Sequence, residues 1–214
     1  MGRATIREQR TLHSSIWGVC QLRHQVLKLV AMNHFLVSAL LPLSLALLGA
    51  CNHTSTPAKT AHLEPYTCGS MQRLHTIDGI YLGSQPAQAD LTQAKETGIK
   101  TVVSLRHTAE VKDWDEAASV RAQGMEWIQI PWNGPDQLTD EVFDRSREAL
   151  RSAQRPMLFH CGSGNRVGAV WIAFRVLDEG LPLEAAVTEA KTIGLKTPEF
   201  ETKARDYVAR KVKG

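Results

Sequence analysis

FHCGSGNRVGAVW, residues 159–171, decides the reading of this chain. The apolar stretch PMLFH at 156–160 runs into it and a helical pattern leaves it, so the segment reads as strand, glycine-rich turn and helix start. Gly162 and Gly164 allow the backbone to curl with several N–H groups pointing inward, and the helix that follows adds its positive end; both favour an anion. Cys161 stands at the base of this turn, where a helix N-terminus favours thiolate over thiol. Arg166 brings a planar fork that can hold two oxygens of a tetrahedral oxyanion at once. A lone cysteine at a strand end is ordinarily a small buried hydrophobe. Cys161, two glycines and an arginine within six residues point instead to a nucleophile and its cradle. The candidate catalytic residues are therefore Cys161 and Arg166, with Gly162, Ser163, Gly164, Asn165 and Arg166 as the phosphate-binding set. His160 either tunes the thiolate through loop backbone or fills the strand end, while Ser163 and Asn165 shape the turn.

Outward from this turn, short apolar runs alternate with helical patterns from residue 78 onward. GIYLG (79–83), KTVVSLR (100–106), EWIQIP (126–131) and PMLFH (156–160) are rich in β-branched or aromatic residues and bounded by turn formers. Helices are predicted over 87–97, 113–123 and 139–153, the last two opening with acids that suit a helix N-terminus. After residue 166 the chain reads as entirely helical. Gly180 with Pro182, and Gly194 with Thr197 and Pro198, separate helices near 166–179, 182–193 and 198–212. This alternation predicts an α/β fold with a central, mainly parallel sheet flanked by helices.

His160-Cys161-x4-Arg166 at such a turn resembles the cysteine phosphatase and rhodanese superfold. IDGIYLGSQPAQADL (77–91), GIKTVVSLR (98–106) and HCGSGNRVGA (160–169) are similar to a bacterial branch of dual-specificity-type phosphatases. The resemblance covers about residues 70–210. It implies hydrolysis of phosphate monoesters through a phosphocysteine intermediate, with no metal or other cofactor, on a phosphorylated protein or a small phosphate ester. The chain departs from the better-known pattern twice. Four residues, not five, separate Cys161 from Arg166, a count shared with rhodanese-like sulfurtransferases. Val167 stands where many phosphatases carry a hydroxyl after the arginine. A sulfurtransferase and a non-catalytic oxyanion-binding module therefore stay open as alternatives.

A phosphatase also needs an acid to protonate the leaving oxygen. Asp136, in the Gly- and Pro-containing loop IPWNGPDQLTD after the third strand, is the candidate catalytic acid, with Asp140 as the alternative. Trp132 either walls the pocket or packs. Arg106 and His107 close the second strand near the same sheet edge, with Arg106 expected in a structural ion pair.

The front of the chain reads differently. Residues 35–50, FLVSALLPLSLALLGA, form an apolar run of sixteen that ends at Cys51. That is short for a membrane span, which needs roughly 20 residues, and suits a secretory leader. Leu48-Gly49-Ala50-Cys51 resembles a lipobox, which implies lipidation of Cys51. Met32 is a second candidate for the translation start. The expected organisation is a leader over 1–50, a lipidated N-terminus and flexible tether over 51–69, and a phosphatase-like domain over 70–214. The protein would be exported and held by its lipid on the periplasmic face of a bacterial membrane.

Charge supports the division. The 25 basic and 22 acidic residues give a net charge of +3, but five basic residues and one acid precede Cys51. The remainder is close to neutral, so the basic balance does not point to nucleic acid. The four cysteines, at 20, 51, 68 and 161, have neither zinc-site spacing nor the density of a disulfide framework. In an oxidising compartment Cys68 is the one candidate to pair with Cys161.

Overall fold

The computed structural model describes residues 62–213; the leader, Cys51 and most of the tether lie outside them. In chain order the elements are β1 (Glu64–Pro65), β2 (His75–Ile77), β3 (Ile80–Gly83), α1 (Asp90–Glu96), β4 (Thr101–Ser104), α2 (Glu116–Ala122), β5 (Glu126–Gln129), α3 (Asp140–Ser152), β6 (Met157–His160), α4 (Asn165–Leu177), α5 (Leu183–Ile193) and α6 (Pro198–Lys213). The six strands form one sheet in the order β1-β2-β3-β6-β4-β5. β3, β6, β4 and β5 are parallel, and β1 and β2 add an antiparallel edge. β6 thus runs through the middle, with its C-terminal end flanked by the ends of β3 and β4.

Strand periodicity of two sends alternate side chains to two cores. Ile80, Leu82, Val103, Met157, Phe159 and Cys161 face the larger one, which α3, α4, α5 and α6 cover. Tyr81, Val102 and Leu158 face the smaller one, beneath α1 and α2. α4 is buried at every position from Arg166 to Arg175, because α3, α5 and α6 surround it; a helix apolar on all sides has no solvent face to keep polar. The charges at its C-terminal end are paired: Arg175 with Glu189 at 2.8 Å, and Asp178 with Arg147 at 2.7 Å.

All four strands and six helices expected from the sequence are present, with ends shifted by a few residues. Caps account for two of the boundaries. Asp115, not Asp113, accepts the Ala118 N–H at the start of α2, and Thr139 accepts that of Val142 at the start of α3. The sequence reading missed β1 and β2. Residues 64–69, which it assigned to the tether, belong to the fold: Glu64 and Pro65 pair with Thr76 and His75, and Cys68 is 5% exposed in the smaller core. Two- and three-residue edge strands carry too few side chains for an alternation to show. No helix among the described residues is long and apolar enough to cross a membrane.

The turn between α5 and α6 fits into α4 through glycine. A Cβ on Gly168 would lie 2.7 Å from the Ala190 carbonyl oxygen and 2.8 Å from the Leu195 Cβ. Gly168→Ala should therefore cost about 1–3 kcal/mol through overpacking, despite the better helix propensity of alanine. Equilibrium denaturation in urea checks this; a variant as stable as wild type would show that the helices separate without penalty.

Candidate active site

The parallel arrangement delivers Cys161 to the centre of the sheet's C-terminal edge. Its backbone N–H reaches the Gly83 carbonyl at 3.4 Å, and Leu105 N–H donates to the His160 carbonyl at 3.0 Å, so the turn starts between β3 and β4. Ser84 and Ser163 form an isolated bridge beside it. Gly164 then adopts φ +84°, a left-handed conformation open to glycine, and α4 begins at the next residue. In this geometry the Gly164 N–H donates to Cys161 Sγ at 3.2 Å. Cys161 is 1% exposed, at the bottom of the turn, and carries no disulfide. Cys68 packs in the other core, across the sheet, so no Cys68–Cys161 bridge forms.

The turn is braced from outside. A Cβ on Gly164 would stand 2.2 Å from the Ile193 carbonyl oxygen, and one on Gly194 would stand 2.7 Å from the Ser163 carbonyl oxygen. Asn165 locks this contact: its Oδ1 accepts the Lys196 N–H at 2.8 Å and the Thr197 N–H at 3.2 Å, and its Nδ2 donates to Thr197 Oγ1 at 2.8 Å. The Asn165 side chain therefore serves the neighbouring turn, which leaves its backbone as the part available to an anion. Arg73 adds a contact from the β1–β2 edge, donating to the Ser163 carbonyl at 3.2 Å.

Arg166 is held from its far side. Nη1 donates to the carbonyls of Leu105 (3.0 Å) and Trp132 (2.6 Å) and to Glu110 Oε1 (2.8 Å), while Nη2 donates to Glu110 Oε2 (2.6 Å). Burial works against the charge on Arg166, but Glu110 and Cys161 outweigh it and raise its pKa. Burial likewise opposes ionisation of Glu110, yet hydrogen bonds from Arg166 and the His107 backbone, with the charges of Arg166 and Arg106, bring it down to about 2. Arg106 lies 3.6 Å from the same carboxylate, in the structural role expected of it.

Asp136 lies in a short turn, Pro135–Gln137, of the loop after β5. That loop is fastened to the site at both ends of its exposed part. The Trp132 carbonyl binds Arg166, and Gln137 Oε1 meets both the Asn133 N–H and His107 Nε2, at 2.8 and 2.9 Å. Asp136 itself is exposed and makes no hydrogen bond or ion pair with the described residues. Asp140 is committed instead to Arg210, at 2.5 Å, at the start of α3. Trp132 is fully buried and packs edge-on against Phe200 at 4.9 Å, so it is a packing residue.

The sequence reading missed Gln85, Glu110 and Glu116. Gln85 takes Arg106 Nη1 at 2.6 Å on its oxygen and donates its amide to Glu116. Glu116 opens α2, is 6% exposed, and lies with Oε1 3.3 Å from Nε2 of the fully buried His160. The i, i+4 spacing of Arg106 and Glu110 was a visible signal. No spacing announces that a residue 56 positions before Arg166 will bind it.

This geometry, a buried sulfur under a backbone N–H and beside a fixed guanidinium, suits attack on a bound oxyanion. Residues 74–177 match the family model of the beta-lactamase hydrolase-like protein, phosphatase-like domain. The fold also has solved structural relatives. TpbA of P. aeruginosa is 20% identical, covers 71% of this chain and 91% of its own, and superposes with a TM-score of 0.55. A second TpbA structure, in complex with pTyr, gives 0.53. The putative phosphatase (DUF442) of Shewanella putrefaciens CN-32 is 18% identical, covers 66% and 94%, and gives 0.56. The core catalytic domain of the S. cerevisiae PP-IP phosphatase SIW14 is 17% identical, covers 70% and 92%, and gives 0.56. At these identities the likeness is one of fold, a central sheet flanked by helices. No curated protein matches the chain.

The Arg166–Glu110 pair carries a pH signature. Glu110 has its folded pKa depressed below the ordinary 4.5, so its stabilisation is fully present above about 4.5 and is lost as pH falls toward about 2. Glu110→Gln should flatten the acid limb of the stability profile over that interval. Urea midpoints at a series of pH values measure it, and parallel limbs in the two proteins would remove the ion pair as the cause.

Proposed function

We propose that the chain is a cysteine-dependent phosphatase of the tyrosine and dual-specificity type. The observation that carries the reading is Cys161 Sγ under the Gly164 N–H beside Arg166, at the start of a buried helix. The thiolate of Cys161 attacks phosphorus, forming an S–P bond as the ester P–O bond breaks. Arg166 and the N–H groups of Gly162 through Asn165 hold the three non-bridging oxygens as charge spreads over them. The Asp136 carboxyl gives its proton to the departing oxygen. Water, deprotonated by the Asp136 carboxylate, then attacks phosphorus, and Cys161 leaves as thiolate with release of phosphate.

Val167 shapes the second step. It is fully buried in the larger core, so no hydroxyl stands next to Arg166 to assist the leaving sulfur. The Gly164 N–H takes that part, already directed at Sγ. The family match, and the pTyr in one TpbA structure, favour a phosphate monoester as substrate.

The four-residue spacing from Cys161 to Arg166 favours one other reading, a sulfurtransferase. Assays of the purified protein on an aryl phosphate, and on thiosulfate with cyanide, separate the two. Hydrolysis without thiocyanate formation is expected, and the converse would reverse the assignment. Cys161→Ser should reduce hydrolysis by at least about a thousandfold while leaving oxyanion binding in place. Asp136→Asn should slow esters with poor leaving groups by about 10²–10⁴-fold and activated aryl phosphates far less. An equal defect on both substrates would remove Asp136 as the acid.

Export and anchoring complete the reading. The apolar run ending at Leu48-Gly49-Ala50-Cys51 supports lipid on Cys51 and a place on the periplasmic face of a membrane. Metabolic labelling with a fatty acid should mark wild type and spare Cys51→Ser. Equal labelling of both would dispose of the anchor.

A further inference from the structure

His160 is fully buried at the end of β6. Neither Nδ1 nor Nε2 of its ring has a well-aligned hydrogen-bond partner. A buried polar atom without a partner costs about 1–3 kcal/mol, and native structures hold few of them. Glu116, an acid 6% exposed, sits against this ring with Oε1 3.3 Å from Nε2. The pair lies directly behind the nucleophile, because His160 precedes Cys161 and its backbone ends β6.

Every element packed here contributes. Gln85, after β3, donates to Glu116, and its backbone N–H reaches the Gly162 carbonyl at 3.5 Å. Ser104 closes β4 opposite His160. Arg106, after β4, is the cation whose charge acts on Glu116 and is itself shared with Glu110. Arg166, on α4, is the second cation acting on His160.

We propose that Glu116 is a positioning residue for the phosphate-binding turn, its proton controlling, through His160, how tightly the turn holds a dianion. With the proton on Glu116, the carboxyl donates to Nε2, the ring carries its hydrogen on Nδ1, and the pair is neutral. Without it, the ring must carry the hydrogen on Nε2 and point it at the carboxylate, and one negative charge stands behind Cys161. The proton exchanged is that of Glu116 and not of His160. Burial, opposed by a backbone contact at Cys161 and aided by the charges of Arg106 and Arg166, depresses the imidazole to about 3, so the ring stays neutral. Burial raises Glu116 to about 7 against the opposing pull of Gln85, Arg106 and the Ser104 hydroxyl. The sign follows: affinity for a dianion is full below about 7 and falls as pH rises through that value.

The inference rests on the phosphatase reading only in taking the turn to be an oxyanion site, and its test does not use turnover. Tungstate, kept dilute enough to remain the monomeric dianion, is titrated into the full chain by calorimetry between about pH 6 and 8. Wild type should bind about 3- to 10-fold more weakly at the upper end, as one added charge at this depth requires. In Glu116→Gln the dependence should vanish. Glutamate carboxyl NMR on the wild type should show a side chain titrating near 7, a readout that does not depend on folding of the variant. Equal pH slopes in both proteins, no carboxyl titrating in that range, or no tungstate binding at all would each overturn the proposal. Tungstate binding with the expected slope but no hydrolysis of any phosphate ester would sink the phosphatase reading and leave this one standing.

Discussion

A guanidinium taken out of water must be paired on nearly every N–H, and Arg166 meets that requirement with partners from two separate loops. Glu110 and the Leu105 carbonyl come from the segment after β4, the Trp132 carbonyl from the segment after β5, and the arginine itself from the first turn of α4. Burying one cation therefore fixes two loops against the start of α4, which the sheet alone brings only to the same edge. The acid loop inherits its placement from this: Trp132 anchors its start, and Gln137 ties its far side to His107.

The second constraint is close backbone approach. The turn that curls around the sulfur and the turn between α5 and α6 meet through Gly164 and Gly194, with Asn165 bridging them. Each glycine in this contact has positive φ, +84° and +134°, so side chains are excluded by conformation as well as by space. A turn so restrained presents its N–H groups without reorganising when an anion arrives, which is the condition under which fixed dipoles are most effective.

These constraints explain what was legible in the sequence. The 156–177 unit was readable because strand, glycine turn and helix are contiguous, so Cys161, Gly162, Gly164 and Arg166 announce themselves together. β3, β4 and β6 were readable because burial on both faces makes them short apolar runs, and β5 because of its Trp and Ile, whereas β1 and β2 have only two and three residues at an edge. Glu110, Gln85 and Glu116 were not readable. Their roles come from the order β3-β6-β4, which brings three strand ends together, and nothing local in SLRHTAE or DEAASV encodes a partner that a parallel crossover supplies. Asn165 was singled out for the right loop and belongs chiefly to its neighbour.

The charge arrangement also bears on why the turn needs its glycines. Glu110 is ionised across the working pH range and lies 2.6 Å from Arg166, so the pair is close to neutral. A dianion approaching Cys161 gains little from a cation already compensated at that distance. Most of the attraction must come from the backbone N–H groups of the turn and from the positive end of the thirteen-residue α4. Those groups have the right direction only while Gly164 keeps its left-handed conformation. Arg166 then acts less as a source of net charge than as a rigid donor set at the correct height, and Glu110 is what holds it there. A site built this way is sensitive to a further charge placed behind it, because no surplus cation remains to mask one.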